Sequence, residues 1–196
     1  MTAKKQSASD ARVARFLGGC SDDAYTFLGA HPDTVNGQEG YRFRVWAPNA
    51  VSVSLMGNFN DWDPENCPMQ HTEGGIWEIF QPGMQRYDIY KYVIHTRDGR
   101  LLAKADPYAF HAETRPDTAS KIYDISGYEW GDANWLEQRR KKPLYHKPLN
   151  IYEVHLGSWR RTADNEFLSY RDTAEYLAPY VKEMGYTHVE FMPITE

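Results

Sequence analysis

Cysteine is scarce in this chain, with only Cys20 and Cys67 among 196 residues. They lie far apart in different contexts, which excludes a disulfide framework and a metal-ligand spacing and points to a reduced, cytoplasmic protein. Positive charge is scarce too. With 22 Lys and Arg against 27 Asp and Glu, the net charge is −5, and no basic stripe runs along any segment. The longest cationic cluster, Arg139 to Lys142, reads as a solvated linker, so nucleic acid is excluded as the main partner. No apolar run has the length needed to cross a bilayer, and Met1 to Asp10 lacks the apolar core of a secretory signal, so no membrane partner is expected. Neither metal nor cofactor is called for, and the chain is expected to be a monomer.

Aromatic residues, by contrast, are plentiful, at 6 Trp, 14 Tyr and 8 Phe. Rings of this kind fill cores, but their flat apolar faces also stack on sugars, and Tyr and Trp keep a polar tip. Composition makes a carbohydrate ligand worth considering without deciding for it. Along the chain, Ala11 to Leu17 has a short helical pattern ended by Gly18-Gly19. From Tyr41 the period becomes two. Tyr41, Phe43 and Val45 alternate with Arg42 and Arg44, and Val51, Val53 and Leu55 alternate with Ser52 and Ser54. Ala47 to Ala50 supplies the turn between them. Further strands are expected at Ile76–Phe80, Arg86–His95, Arg100–Lys104 and Ser120–Asp124, separated by Gly-containing turns. Short strands with frequent turns and no long helix predict a β-sandwich over residues 25–125, after an N-terminal segment at 1–24.

A linker is expected over residues 126–149, charged and proline-punctuated in its second half, with Pro143 and Pro148. Beyond it the pattern changes again. Asn150 to His155 is strand-like, and Ser169 can cap a helix that has Asp172 in its first turn. Ala174, Leu177, Val181 and Met184 give that helix an apolar face. Gly185 ends it, and Pro179 should kink or split it. With the strand-like run His188–Ile194, this is a βαβ unit over residues 150–196. Two strands and one helix cannot bury their own apolar faces, whereas a (β/α)8 barrel takes about 250 residues.

These residues together resemble the bacterial glycogen branching enzymes, 1,4-α-glucan branching enzymes of the α-amylase superfamily. The likeness runs from Tyr25-Thr26-Phe27-Leu28-Gly29-Ala30-His31 almost to the last residue. Val45-Trp46-Ala47-Pro48-Asn49-Ala50 and Gly57-Asn58-Phe59-Asn60-Asp61-Trp62 are similar to the glycogen-binding module that precedes the barrel in that family. Tyr90-Lys91-Tyr92 and Lys104-Ala105-Asp106-Pro107-Tyr108-Ala109-Phe110 continue it. Ile151-Tyr152-Glu153-Val154-His155-Leu156-Gly157-Ser158-Trp159-Arg160-Arg161 resembles the first barrel strand, and Val189-Glu190-Phe191-Met192-Pro193-Ile194 the second. The implied fold is an all-β immunoglobulin-like sandwich followed by the first βαβ unit of an incomplete (β/α)8 barrel. The implied activity is cleavage of an α-1,4 bond in a linear glucan and transfer of the released segment to a 6-hydroxyl. Its chemistry is that of retaining glycosidases, with paired carboxyls about 5 Å apart. The family's aspartate nucleophile, glutamate acid/base and stabilising aspartate all come from later strands. Glu190 and Glu196 match none of them, so no residue here is assigned a catalytic role and the chain alone is expected to make no branches.

The resemblance implies α-glucan or glycogen as partner, and Trp62, Asn60 and Lys91 as its contacts. Trp62 is either a stacking platform for a glucose ring or a loop tryptophan packed on the sandwich. Lys91 can donate to sugar hydroxyls or be a solvated strand lysine. The family often has a second tryptophan after the Asp-Gly turn, whereas Asp98-Gly99 is followed here by Arg100-Leu101-Leu102. His155 and Trp159 could line the donor groove or serve packing alone. Trp46 and Trp77 are expected in the core, and Tyr152 and Glu153 carry no assigned chemistry. Two other readings stay open: a stand-alone glucan-binding module, and a relative of the same layout such as a debranching enzyme or a maltooligosyl trehalose hydrolase.

Overall fold

The computed structural model describes residues 11–142 and 144–194. Met1 to Asp10, Pro143 and Glu196, on which parts of the sequence reading fall, lie outside the described residues. The chain divides into two compact units, Met1–Tyr128 and Glu129–Glu196.

The first unit opens with α1 (Ala11–Leu17), which ends at the expected glycines: Gly18 N–H donates to Ala14 at 3.0 Å and Gly19 is left-handed. Two antiparallel sheets follow. One is ordered β1-β2-β5-β4, from Gly29–Val35, Gln38–Trp46, Ile76–Pro82 and Gln70–His71. The other is ordered β3-β6-β9-β8, from Ala50–Gly57, Ile89–Thr96, Ser120–Lys121 and His111–Ala112, with β7 (Leu101–Lys104) also paired to β6. The period-two pattern has its predicted consequence. Phe43 and Val45 from β2, Val53 and Leu55 from β3, and Tyr90 and Tyr92 from β6 are buried in one apolar cluster, while Arg42 and Arg44 face out and pair with Asp33 and Glu78. Strands β1, β4 and β8 were not foreseen. They are short or polar and sit where alternation is weak.

Several readings need correction. Arg86–Asp88 is not strand: Tyr87 has φ 74°, and Asp88 accepts the Gln85 N–H at 2.7 Å, which makes a turn that delays β6 to Ile89. Trp77 is buried, but Trp46 is 49% exposed. Alternation puts Trp46 opposite to Phe43 and Val45, on the outer face, where its indole N–H donates to Gly74 at 3.0 Å and its ring meets Phe16 of α1 edge-on at 5.5 Å.

The polar centre of this core is Asp106, only 6% exposed. Its carboxylate accepts the hydroxyls of Tyr90 at 2.6 Å and Tyr92 at 3.2 Å and the N–H of Tyr108 at 2.8 Å. Burial nevertheless outweighs these donors and raises the carboxyl above the ordinary aspartate range. Burial likewise pushes both tyrosines well above theirs.

In the second unit, α2 (Ala133–Lys141) occupies the stretch expected to be linker. Strands β10 (Ile151–Val154) and β11 (His188–Phe191) pair in parallel. Between them lie the short α3 (Leu156–Trp159) and α4 (Tyr170–Glu183). Ser169 caps α4, its hydroxyl accepting the Asp172 N–H at 3.2 Å, and Gly185 follows it at φ 80°. Pro179 does not split α4, which runs through it. The carbonyl freed by the missing proline N–H is that of Glu175, on the exposed side of the helix where water can serve it. The buried face is Thr173 and Leu177, whereas Ala174 and Met184 of the predicted stripe are exposed.

Candidate glucan-binding site

β3 ends at Gly57, buried against β6. A Cβ there would lie 2.1 Å from the Ile89 carbonyl oxygen and 2.8 Å from the Phe59 ring, so only glycine lets the strand turn this closely. The chain then folds over Asn60, whose amide is fully engaged from within. Its Oδ1 accepts the Gly57 N–H at 2.9 Å, and its Nδ2 donates to the Leu55 and Asp63 carbonyls at 3.2 and 2.8 Å. Phe59 packs inward on the core. Asp61 and Trp62 both take left-handed backbone, at φ 53° and 61°. The Trp62 N–H donates to Gly57 at 2.9 Å, and its side chain is left 38% exposed. The loop therefore presents an aromatic ring at the surface on a left-handed backbone, closed from within by the partly buried Asn60 amide, which bonds to the main chain on both sides of the turn.

Asn58 ties this loop to the one before β6, donating from Nδ2 to Asp88 Oδ1 at 3.0 Å and accepting the Ile89 N–H at 3.1 Å. Gly57 is in register with Tyr90 and Met56 with Lys91, so the Trp62 loop springs from the end of the sheet that carries Lys91. Lys91 faces away from the buried Tyr90 and Tyr92 and donates to Thr118 Oγ1 at 2.7 Å. An ammonium has three donors, and this bond takes one. Beyond the Asp98-Gly99 turn, Leu101 is 65% exposed.

The second group belongs to the other unit. The His155 ring Nδ1 is 2.9 Å from Ser158 Oγ. The Trp159 indole N–H donates to Tyr152 OH at 3.1 Å, with the Arg160 guanidinium 4.6 Å over its ring. Tyr152, given no chemistry from sequence, is the centre of this cluster, since Tyr180 and Tyr186 pack on it at 5.6 and 4.8 Å. Among the described residues, no group of His, Cys, Asp or Glu is placed to hold a metal ion, and no helix is long and apolar enough to cross a membrane.

The two-sheet sandwich is matched by comparison: residues 27–109 match the family Carbohydrate-binding module 48 (Isoamylase N-terminal domain). Among solved structures, a putative alpha amylase from Salmonella typhimurium is similar over 87% of this chain and 25% of its own, with a TM-score of 0.58 at 25% identity. The GBS pullulanase SAP, solved with maltotetraose, is similar over 86% of this chain and 24% of its own, with a TM-score of 0.60 at 20% identity, and supports the fold alone. Sequence narrows the class further. The chain is 50% identical over 175 residues to the 1,4-alpha-glucan branching enzyme GlgB of Bacillus mycoides (strain KBAB4), and 48% identical over 175 residues to that of Bacillus cereus (strain G9842). Each match covers 89% of this chain and 27% of the relative. The chain corresponds to the N-terminal part of the GlgB branching enzymes and spans about a quarter of their length.

Proposed function

We propose that this chain is the front of a glycogen branching enzyme, a cytoplasmic monomer in which the sandwich holds an α-glucan chain for the branching reaction. In that reaction an α-1,4 bond is cut and the released segment is passed to a 6-hydroxyl by carboxylates outside these 196 residues. The division taken is an N-terminal segment at 1–24, an immunoglobulin-like glycogen-binding module at 25–125, a connecting segment at 126–149, and from 150 the first βαβ unit of a (β/α)8 barrel. The parallel pairing of β10 with β11 across α4 supports that last assignment. His155 and Trp159, at the C-terminal end of β10, then belong to the donor side.

The observation that carries the glucan reading is the Trp62 loop. Its ring is held exposed at a left-handed backbone position, beside the strand end that bears Lys91. A rigid, half-open indole offers a stacking face at little entropic cost on binding. Trp62 stacks on a glucose ring, Lys91 donates to its hydroxyls, and Asn60 positions the indole. The Trp62→Ala chain is expected to run faster than the parent in a native gel containing glycogen. Equal retardation of the two sinks the assignment.

A further inference from the structure

Besides Trp62, one other aromatic residue among the described residues stands at positive φ: Tyr87, at 74°. Its N–H donates to the Ile122 carbonyl at 2.8 Å, which pins the strained position. Left-handed backbone at a bulky residue persists only where the surroundings over-determine it, and such residues gather at sites of function. The Tyr87 ring is propped from several sides. His111 meets it edge-on at 5.8 Å, Tyr123 lies at 5.7 Å, and the Arg86 guanidinium is 5.1 Å from its centre. It is nevertheless 54% exposed, so the neighbours brace the ring without covering it.

Its place in the fold is telling. Tyr87 precedes β6 at the sheet end where β3 gives way to the Trp62 loop, and Asn58 bonds both to Asp88 beside Tyr87 and to Ile89. The two strained, exposed aromatic residues therefore sit on loops joined by one side chain, with Lys91 two residues into the strand that follows. Ordinary core packing does not call for an exposed ring in a disfavoured backbone conformation, whereas a platform for a flat apolar sugar face does. Arg86 and His111 add hydrogen-bonding groups at its border.

We infer that Tyr87 is a second stacking residue for α-glucan, extending the Trp62 site so that it takes consecutive glucose units of one linear chain. This rests on the glucan reading of Trp62, and the test separates the two. Calorimetric titration of the full 196-residue chain with maltoheptaose is compared for the parent, Tyr87→Gly, Tyr87→Phe and Trp62→Ala. Tyr87→Gly removes the ring and relaxes the backbone, so the fold is kept; matching circular dichroism checks this. Loss of one aromatic stacking contact is expected to weaken binding roughly three- to ten-fold, with Tyr87→Phe close to the parent. Parent-like affinity in Tyr87→Gly overturns the inference, and if Trp62→Ala is weakened in the same series the Trp62 reading survives. A weakened Tyr87→Gly beside an unaffected Trp62→Ala removes Trp62 and leaves Tyr87 as the platform. Equal losses in Tyr87→Gly and Tyr87→Phe overturn stacking in favour of the hydroxyl. A parent chain that does not bind refutes both.

Discussion

Replacing Asp106 by alanine tests the account of the sandwich core at its most exacting point. The carboxylate is the acceptor for two buried hydroxyls and one N–H. Without it, Tyr92 keeps a long bond to the Arg44 carbonyl at 3.5 Å, while the Tyr90 hydroxyl, which donates to Asp106 at 2.6 Å, loses its acceptor in a side chain only 1% exposed. A buried donor left without an acceptor costs about 1–3 kcal/mol. Counting Tyr90 in full, the Tyr108 N–H and Tyr92 in part, and subtracting the relief of removing a desolvated carboxyl, the loss is about 2–4 kcal/mol. That is a large share of a domain stability of about 5–15 kcal/mol. In urea, where a small domain loses roughly 1–3 kcal/mol per molar, the midpoint followed by tryptophan fluorescence should fall by about 1–2 M. Tyr90→Phe keeps the ring in the cluster and removes only the donor, so its loss should be smaller, about 1 kcal/mol. A midpoint for Asp106→Ala within about 0.3 M of the parent, or a greater loss in Tyr90→Phe, refutes the reasoning.

Three further outcomes are expected. The folded pKa of Asp106 is raised above 3.8, so between the unfolded and folded values the folded state holds the proton more tightly. The stability Asp106 contributes is therefore complete below the unfolded pKa and shrinks as pH rises through the folded one; a parent-minus-Asp106→Asn difference that stays flat from about pH 4 to 7 contradicts this. Gly57→Ala must push its Cβ away from a backbone oxygen 2.1 Å distant, a strain of about 1–3 kcal/mol that should lower Tm by several degrees; an unchanged Tm means the strand pair is looser than described. Incubated with amylose, the 196-residue chain should leave branch content unchanged, and a clear rise places catalytic carboxyls within it.

What could be read from sequence follows from how far each signal is local. The alternation of Phe43 and Val45 with Arg42 and Arg44 is a local cause of burial, and the structure follows it. Trp46 shows the limit. Its apolar neighbours suggested the core, yet the same period of two sends it outward. β1 pairs with its neighbour β2 across the tight Asn36-Gly37 turn, a local hairpin signal, but its own polar, proline-containing run lacks the apolar alternation that marked the other strands; β8 rests on a two-residue ladder, which no short window reveals. At the candidate site, Gly57 to Trp62 stood out as a motif, but the three hydrogen bonds of Asn60 did not, because their acceptors and donor meet only once the loop has closed. Tyr87 was hidden inside an apparent strand. Its left-handed backbone is imposed by contact with Ile122, which lies far along the chain.

The placement of proline has a consequence for crowding. β1, at the margin of its sheet, contains Pro32, which has no N–H to offer an incoming strand. The outer side of β3 is already occupied: Leu55 N–H reaches the Cys67 carbonyl and Met69 N–H reaches that of Val53, with Pro68 between them. An open strand margin is a template on which another copy can add, and these two are blunted. On the proposed glucan reading, copies gathered on one branched polymer would be concentrated against each other, and margins closed in this way would let many of them share one polysaccharide surface without zipping into a common sheet.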